Sequence, residues 1–269
     1  MRTMLLALVV VSACSIPDKH ALGSDAQLGR DGAQSDAPEP LDAAVGGAFA
    51  CLGQPLPTTA PSTFTISGQS NSLGISGSQP LANVTLNGYV TGQTTPIFML
   101  MTAATGNFSV AVPSGGVPVD GRIVASTASY LTANIFPSRP FDSDTTVPVT
   151  MLTSQTLTLA AQAAGASITP TLAQVAALVV DCNNMPIAGA TIEVTNNNTQ
   201  TATGTVRYIS GGIPTQSATM TDASGTAFVF NTTGGQMTIH ATAPAGTLRA
   251  HSFTAPNDNT QWTEVTIQP

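Results

Sequence analysis

From about Phe49 onward, short runs of Val, Ile, Phe and Thr are broken at close intervals by Gly, Pro and Asn. That punctuation suits many short strands linked by tight turns, and it predicts an all-β sandwich or barrel. The stretch is roughly 220 residues long, enough for one large or two small domains. Charge is scarce in it. Its basic residues are Arg122, Arg139, Arg207 and Arg249, with no Lys, and the whole chain carries a formal charge of −7. Scattered arginines on an acidic background exclude a nucleic-acid partner.

The punctuation repeats. Pro80-Leu81-Ala82-Asn83-Val84-Thr85-Leu86 has a counterpart in Pro186-Ile187-Ala188-Gly189-Ala190-Thr191-Ile192. In each, Pro fixes φ at a turn and an alternating strand follows. Thr102-Ala103-Ala104-Thr105-Gly106-Asn107-Phe108 matches Thr221-Asp222-Ala223-Ser224-Gly225-Thr226-Ala227-Phe228, allowing one inserted residue. Both read as turns with Gly where φ is positive. Pro113-Ser114-Gly115-Gly116 then matches Thr232-Thr233-Gly234-Gly235. The same order in both halves predicts two copies of one domain. Phe98, Phe108, Phe228, Phe230 and Phe253 read as core residues, and Trp262 as a core plug at a sandwich end.

These motifs resemble the carboxypeptidase regulatory-like (transthyretin-like) β-sandwich, over roughly 65–152 and 177–269. The second copy has the full Thr-Asp-x-x-Gly turn, whereas Ala103 replaces the Asp in the first. The resemblance implies Ig-like sandwiches that serve as non-catalytic appendages or repeats in surface lipoproteins. Enzymes also use the fold, but their motifs are absent. The paired Tyr and His-x-His ligands of intradiol dioxygenases, the C-terminal Tyr-Arg-Gly-Ser of hydroxyisourate hydrolases and the His-x-x-Glu of carboxypeptidases do not occur.

Between the copies, Ser154 to Gly165 reads as a helix with Ser154 as N-cap and Gly165 as stop. Ala and Leu favour helix in its middle, and Leu157, Ala160 and Ala164 would face a sandwich edge. A second helical turn is expected over Pro170 to Gln174. The second copy carries a longer excursion, Asn196 to Pro214, where a binding surface could have been added.

The N-terminus carries a different message. A basic start at Arg2, an apolar run from Met4 to Val11, then Val11-Ser12-Ala13-Cys14 form an export signal. The run is too short for a span, which needs about 20 residues. The pattern resembles a bacterial lipobox, which implies cleavage before Cys14 and acylation of that cysteine with several chains, palmitate among them. Ser15 after the cysteine implies the outer membrane. Ser15 to about Ala48 is rich in Ala, Gly, Asp, Ser and Pro, and lacks aromatic residues; it reads as a disordered acidic leash.

Cys51 and Cys182 remain, and an exported protein with two such cysteines is expected to bond them. Chemistry is sparse. His240 and His251 are the histidines of the folded part, and with Arg249 they form the alternative site for an enzyme or accessory subunit. Neighbours such as His251 and Ser252 point to opposite faces of a strand, which argues against a triad. Asp142 and Asp144 are candidates for a calcium pair, but read better as a turn cap, so no metal and no cofactor is expected.

The expected organisation is all-β: signal peptide 1–13, lipid-anchored linker 14–48, first sandwich 49–152, helical connector 153–176 and second sandwich 177–269. The expected role is a non-catalytic envelope lipoprotein, held to the membrane by its N-terminal lipid. It would bind or scaffold an envelope protein or a polysaccharide, or serve as a structural spacer.

Overall fold

The computed structural model describes residues 47–74 and 77–269. Cys14, the lipobox and nearly all of the expected leash lie outside the described residues. The described chain is almost entirely β, with one helix. In chain order its first nine strands are β1 (Thr63–Gly74), β2 (Gly77–Pro80), β3 (Thr85–Val90), β4 (Phe98–Met101), β5 (Asn107–Pro113), β6 (Gly121–Ser126), β7 (Thr132–Phe136), β8 (Thr145–Thr146) and β9 (Val149–Met151). Helix α1 (Ser154–Ala163) follows. Then come β10 (Ala173–Val179), β11 (Thr191–Asn196), β12 (Thr201–Ala202), β13 (Thr205–Ser210), β14 (Ile213–Thr215), β15 (Thr226–Thr232), β16 (Gly235–Ala243), β17 (Gly246–Thr247), β18 (His251–Ala255) and β19 (Gln261–Ile267).

The copies are the same unit down to individual hydrogen bonds. In the first, Thr102 Oγ1 accepts from Val84 N–H at 3.0 Å and donates to Leu81 O at 3.2 Å. In the second, Thr221 Oγ1 accepts from Ala190 N–H at 2.9 Å and donates to Ile187 O at 2.7 Å. Behind each turn the glycine carbonyl accepts from an incoming strand: Ser70 N–H reaches Gly106 O at 2.9 Å, and Val179 N–H reaches Gly225 O at 2.8 Å. Both glycines have positive φ, +76° and +65°. A Cβ there would meet the carbonyl oxygen of Ser70 or Val179, so nothing larger than Gly fits. Asp222 Oδ1 adds bonds from Ser224 N–H (2.9 Å) and Ser224 Oγ (2.6 Å). Ala103 cannot supply these in the first copy.

Thr221 is buried, and its hydroxyl serves a buried N–H and a buried carbonyl together. Thr221→Val keeps the shape and leaves both groups without that partner. Unpaired buried polar groups cost about 1–3 kcal/mol each. We expect a loss of about 2 kcal/mol in urea unfolding; an unchanged midpoint would show that the hydroxyl carries no weight.

The two sandwiches do not merely follow one another. One small sheet runs β2-β1-β5, with β8 and β9 also paired to β1; a second runs β12-β11-β16-β17, with β18 paired to β16. Between them lies a single nine-stranded sheet, β14-β13-β15-β10-β19-β7-β6-β3-β4. It forms because β7 of the first copy pairs in parallel with β19 of the second, Ala133 opposite Trp262 and Ile135 opposite Glu264. Each copy thus closes an edge strand of the other.

A sheet shared in this way must be apolar on both faces, and period-2 alternation sorts the residues. Ala176, Phe228, Phe230 and Trp262 join the first core with Phe64, Ile66, Leu86, Ile123 and Ile135. Val175, Ala177, Ala227, Val229, Val265 and Ile267 face the second core with Ile192, Met237, Ile239 and Phe253. Phe98, Phe108, Phe228, Phe230 and Phe253 are all buried. Burying each aromatic contributes about 1.5–3 kcal/mol. Trp262 is buried too, but in the middle of the shared sheet rather than at a sandwich end.

Helix α1 starts one residue earlier than expected. Its N-cap is Thr153, whose Oγ1 accepts from Thr156 N–H at 3.1 Å; Ser154 is the first helical residue. Gly165 follows with φ +64° and ends the helix. Leu157, Ala161 and Ala164 are buried. Arg207 Nε donates to Ala164 O at 2.8 Å, which satisfies an end carbonyl and pins the helix to β13. The second helical turn is not formed: Pro170 and Thr171 make a turn, and Gln174 already lies in β10. Gln174 Nε2 donates to Asn231 Oδ1 and its Oε1 accepts from Asn231 N–H, so tertiary partners override the local preference.

Cys51 and Cys182 form a disulfide across 131 residues of chain. The turn around Cys51 packs Phe49 and Leu52 on the second core, and Cys182 N–H donates to Ala48 O at 2.8 Å. The bond therefore ties the segment ahead of the first sandwich to the second.

Candidate functional site

The outer face of the second sandwich's half of the shared sheet is not fully covered. Helix α1 lies over it on one side, the β1–β2 hairpin and β9 border it, and the β13–β14 hairpin forms another wall. Between them is a cleft of about 450 Å³, within the range of small-molecule sites. Two other clefts are far smaller, about 30 and 10 Å³. Its walls are aliphatic and aromatic: Leu152, Ala160, Ala176, Leu178, Ile209 and Phe228. Its rim includes Leu73, Leu159 and Ile213, three of the larger apolar side chains that stand exposed. Exposed apolar residues gathered round one opening mark a contact site more than singly scattered ones do.

Two polar groups interrupt this lining on β19. Glu264 is buried, opposite Ala176 on β10 and Ile135 on β7. Removal from water pushes its carboxyl up to about 7, against a weaker pull downward from the Thr150 side chain. Among the residues lining the cleft it is the sole titratable one. Trp262, two residues earlier and so on the same face, is also buried, and its Nε1–H has no hydrogen-bond partner among the described residues. The other two such atoms, Asn87 Oδ1 and Thr263 Oγ1, belong to residues outside the lining.

The residues singled out from sequence lie elsewhere. His240 is exposed on β16 opposite Glu193, whereas His251 on β18 lies opposite Ile239 and thus on the other face of that sheet. His251 Nδ1 lies 3.0 Å from Thr266 O, to which its N–H donates, and its ring stands edge-on to Phe136. Burial holds its pKa below the ordinary value. Arg249 Nη2 donates to Gln54 O at 2.6 Å. The three do not converge on one cleft. Asp144 Oδ1 accepts from Thr65 N–H at 2.7 Å, and Asp142 Oδ1 accepts from Ser143 Oγ at 3.0 Å with Arg139 at 3.9 Å. Each carboxylate is engaged by its own neighbours. Among the described residues no three His, Cys, Asp or Glu side chains gather as a metal site would require.

Glu264 and Trp262 were not identified as site residues from sequence. The available signal was one acid among the apolar residues and threonines of the strand Trp262 to Ile267. The excursion Asn196 to Pro214 was a better guide. It contributes β13 and the start of β14, and Ile209, Gly212, Ile213 and Pro214 line the cleft.

Among the described residues no helix is long and apolar enough to cross a membrane. No protein-family model and no curated protein matches the chain. Among solved structures, it is distantly similar to the shaft pilin SpaA of Lactobacillus rhamnosus GG, with 14% identity over 77% of this chain and 98% of that one and a TM-score of 0.25. It is similar at 12% identity to the minor pilin GBS52 of Streptococcus agalactiae, over 77% of this chain and 94% of that one, TM-score 0.24. It is also similar at 14% identity to 3-chlorocatechol 1,2-dioxygenase of Rhodococcus opacus 1CP, over 40% of this chain and 68% of that one, TM-score 0.25.

Proposed function

We propose that this protein is a non-catalytic binding module of the bacterial cell envelope, anchored by lipid on Cys14. The observation that carries the non-catalytic reading is the cleft itself. At about 450 Å³ it presents one titratable group, Glu264, which meets the Thr150 hydroxyl and has no histidine, cysteine, lysine or second carboxylate beside it in the lining. General acid–base and nucleophilic chemistry both need partnered groups within hydrogen-bond reach. The separation of His240, Arg249 and His251 supports the same reading. The lipobox Val11-Ser12-Ala13-Cys14 supports the anchor, and the resemblance to carboxypeptidase regulatory-like repeats supports a surface or periplasmic role. The partner in this reading is an envelope protein or a polysaccharide at the outer membrane.

The test is expression of the full chain in a bacterial host fed an alkyne-tagged palmitate. Label is expected on the wild-type protein and absent from Cys14→Ala. Crosslinking and affinity capture from the same cells are expected to return a reproducible envelope component with the wild type only. An unlabelled wild-type chain would remove the lipid anchor. Capture that is identical with Cys14→Ala would remove the link between anchoring and binding.

A further inference from the structure

We propose that the cleft between α1 and the shared sheet binds a small, uncharged, mainly aliphatic molecule through an oxygen that meets Trp262 Nε1–H and Glu264. The inference deepens the reading of the protein as a binding module and names the ligand chemistry of its cleft.

Three observations converge on it. First, Trp262 carries a buried donor with no partner. Buried donors are nearly always satisfied, and indole N–H can only donate. What completes it must be an acceptor. Second, Glu264 lies two residues along the same strand face, in the same cleft. A protonated carboxyl donates and also accepts, so one hydroxyl or carbonyl oxygen can satisfy both groups. Third, the remaining lining is mainly apolar, with hydroxyls at Ser78, Thr150, Thr156 and Thr226 but no cation. An anionic ligand would lose its hydration and its charge would meet no opposite charge there. A cationic head would suit ionised Glu264 but would leave the indole donor unmet. Arg207 is on the same face as Phe228, but it is engaged at the C-terminal end of α1 by Ala164 O and does not line the cleft.

Two of the walls lie outside the elements that the copies share. β13 and β14 come from the excursion that distinguishes the second copy, and α1 from the connector between copies. The exposed Leu73, Leu159 and Ile213 at the mouth extend the apolar surface to solvent.

Trp262 is the one tryptophan of the chain, so its emission reports on the site directly. The experiment titrates the full protein at pH 6 with 1-octanol, octane, octanoate and octylammonium. We expect a saturable one-to-one change with octanol, and binding at least about tenfold weaker for the other three, since one hydrogen bond is worth about that factor. Trp262→Phe keeps an aromatic wall and deletes the donor. By calorimetry it is expected to weaken octanol about tenfold and leave octane unchanged. Glu264→Gln retains a donor and an acceptor and is expected to bind octanol as the wild type does.

Octane equal to octanol would overturn the proposal, because the polar pair would then be idle. So would octylammonium binding tightest, or no effect of Trp262→Phe. The wild-type series stands even if a variant does not fold. No octanol binding, with envelope capture retained, would refute the cleft and leave the envelope-binding role. Loss of both would refute the two together.

Discussion

Replacing both Cys51 and Cys182 with Ser is expected to lower stability by up to about 4–5 kcal/mol, the chain-entropy value for a loop of this size. The bond spans 131 residues and encloses the whole first sandwich and the connector. Its removal frees the denatured chain across that entire length. It also releases the segment that places Phe49 and Leu52 on the second core. A typical domain is stable by only about 5–15 kcal/mol, so the double variant is expected to melt far below the wild type. Calorimetry with and without reductant measures this. A wild-type melting temperature that does not move on reduction would show that the shared sheet, and not the disulfide, holds the copies together.

Stability is also expected to fall with rising pH because of Glu264. Its carboxyl titrates near 7 in the folded protein against an ordinary value of 4.5. The folded state therefore holds the proton more tightly than the unfolded one. The resulting stabilisation is fully present below about 4.5, declines as pH rises towards 7, and is gone above it. The total is about 3 kcal/mol at 1.36 kcal/mol for each pKa unit. His251 acts in the opposite direction: burial lowers its pKa, so folding opposes its protonation at acidic pH. The comparison that isolates the carboxyl is Glu264→Gln against wild type. The variant is expected to gain about 3 kcal/mol relative to wild type between pH 4.5 and 8. Parallel pH curves for the two proteins would mean that water or a rearrangement solvates Glu264.

Both expectations concern features that differ in how far the sequence reveals them. Cys51 and Cys182 are an obvious pair once export is inferred, because composition and compartment argue for a bond without any geometry. Glu264 is not obvious. Its neighbours Ala176 and Ile135 are 88 and 129 positions away along the chain. Its unusual acidity follows from the burial they impose, and sequence spacing does not encode that burial.

Local signals carried the repeat. Thr102 and Thr221, Gly106 and Gly225, and the prolines at 80 and 186 are set by turn chemistry that acts within a few residues. They were readable as pairs before any coordinates. The alternation that buries Phe98, Phe108 and Phe253 was readable for the same reason. Where tertiary partners compete with local preference, the reading failed, as at Pro170 to Gln174. There Asn231 draws Gln174 into a strand.

The sequence by itself determined the fold class, the duplication, the helix between the copies and the cysteine pair. Each follows from short-range sterics, hydrophobic periodicity or composition. Only the tertiary structure decided that β7 and β19 join in parallel and merge two sandwiches through one sheet. That pairing brings together strands whose facing residues are about 130 positions apart, and loop-closure entropy depends too weakly on length to favour one such partner over another. The merger makes most of both faces of the shared sheet interior. It places Trp262 and Glu264 in the cleft that α1 borders.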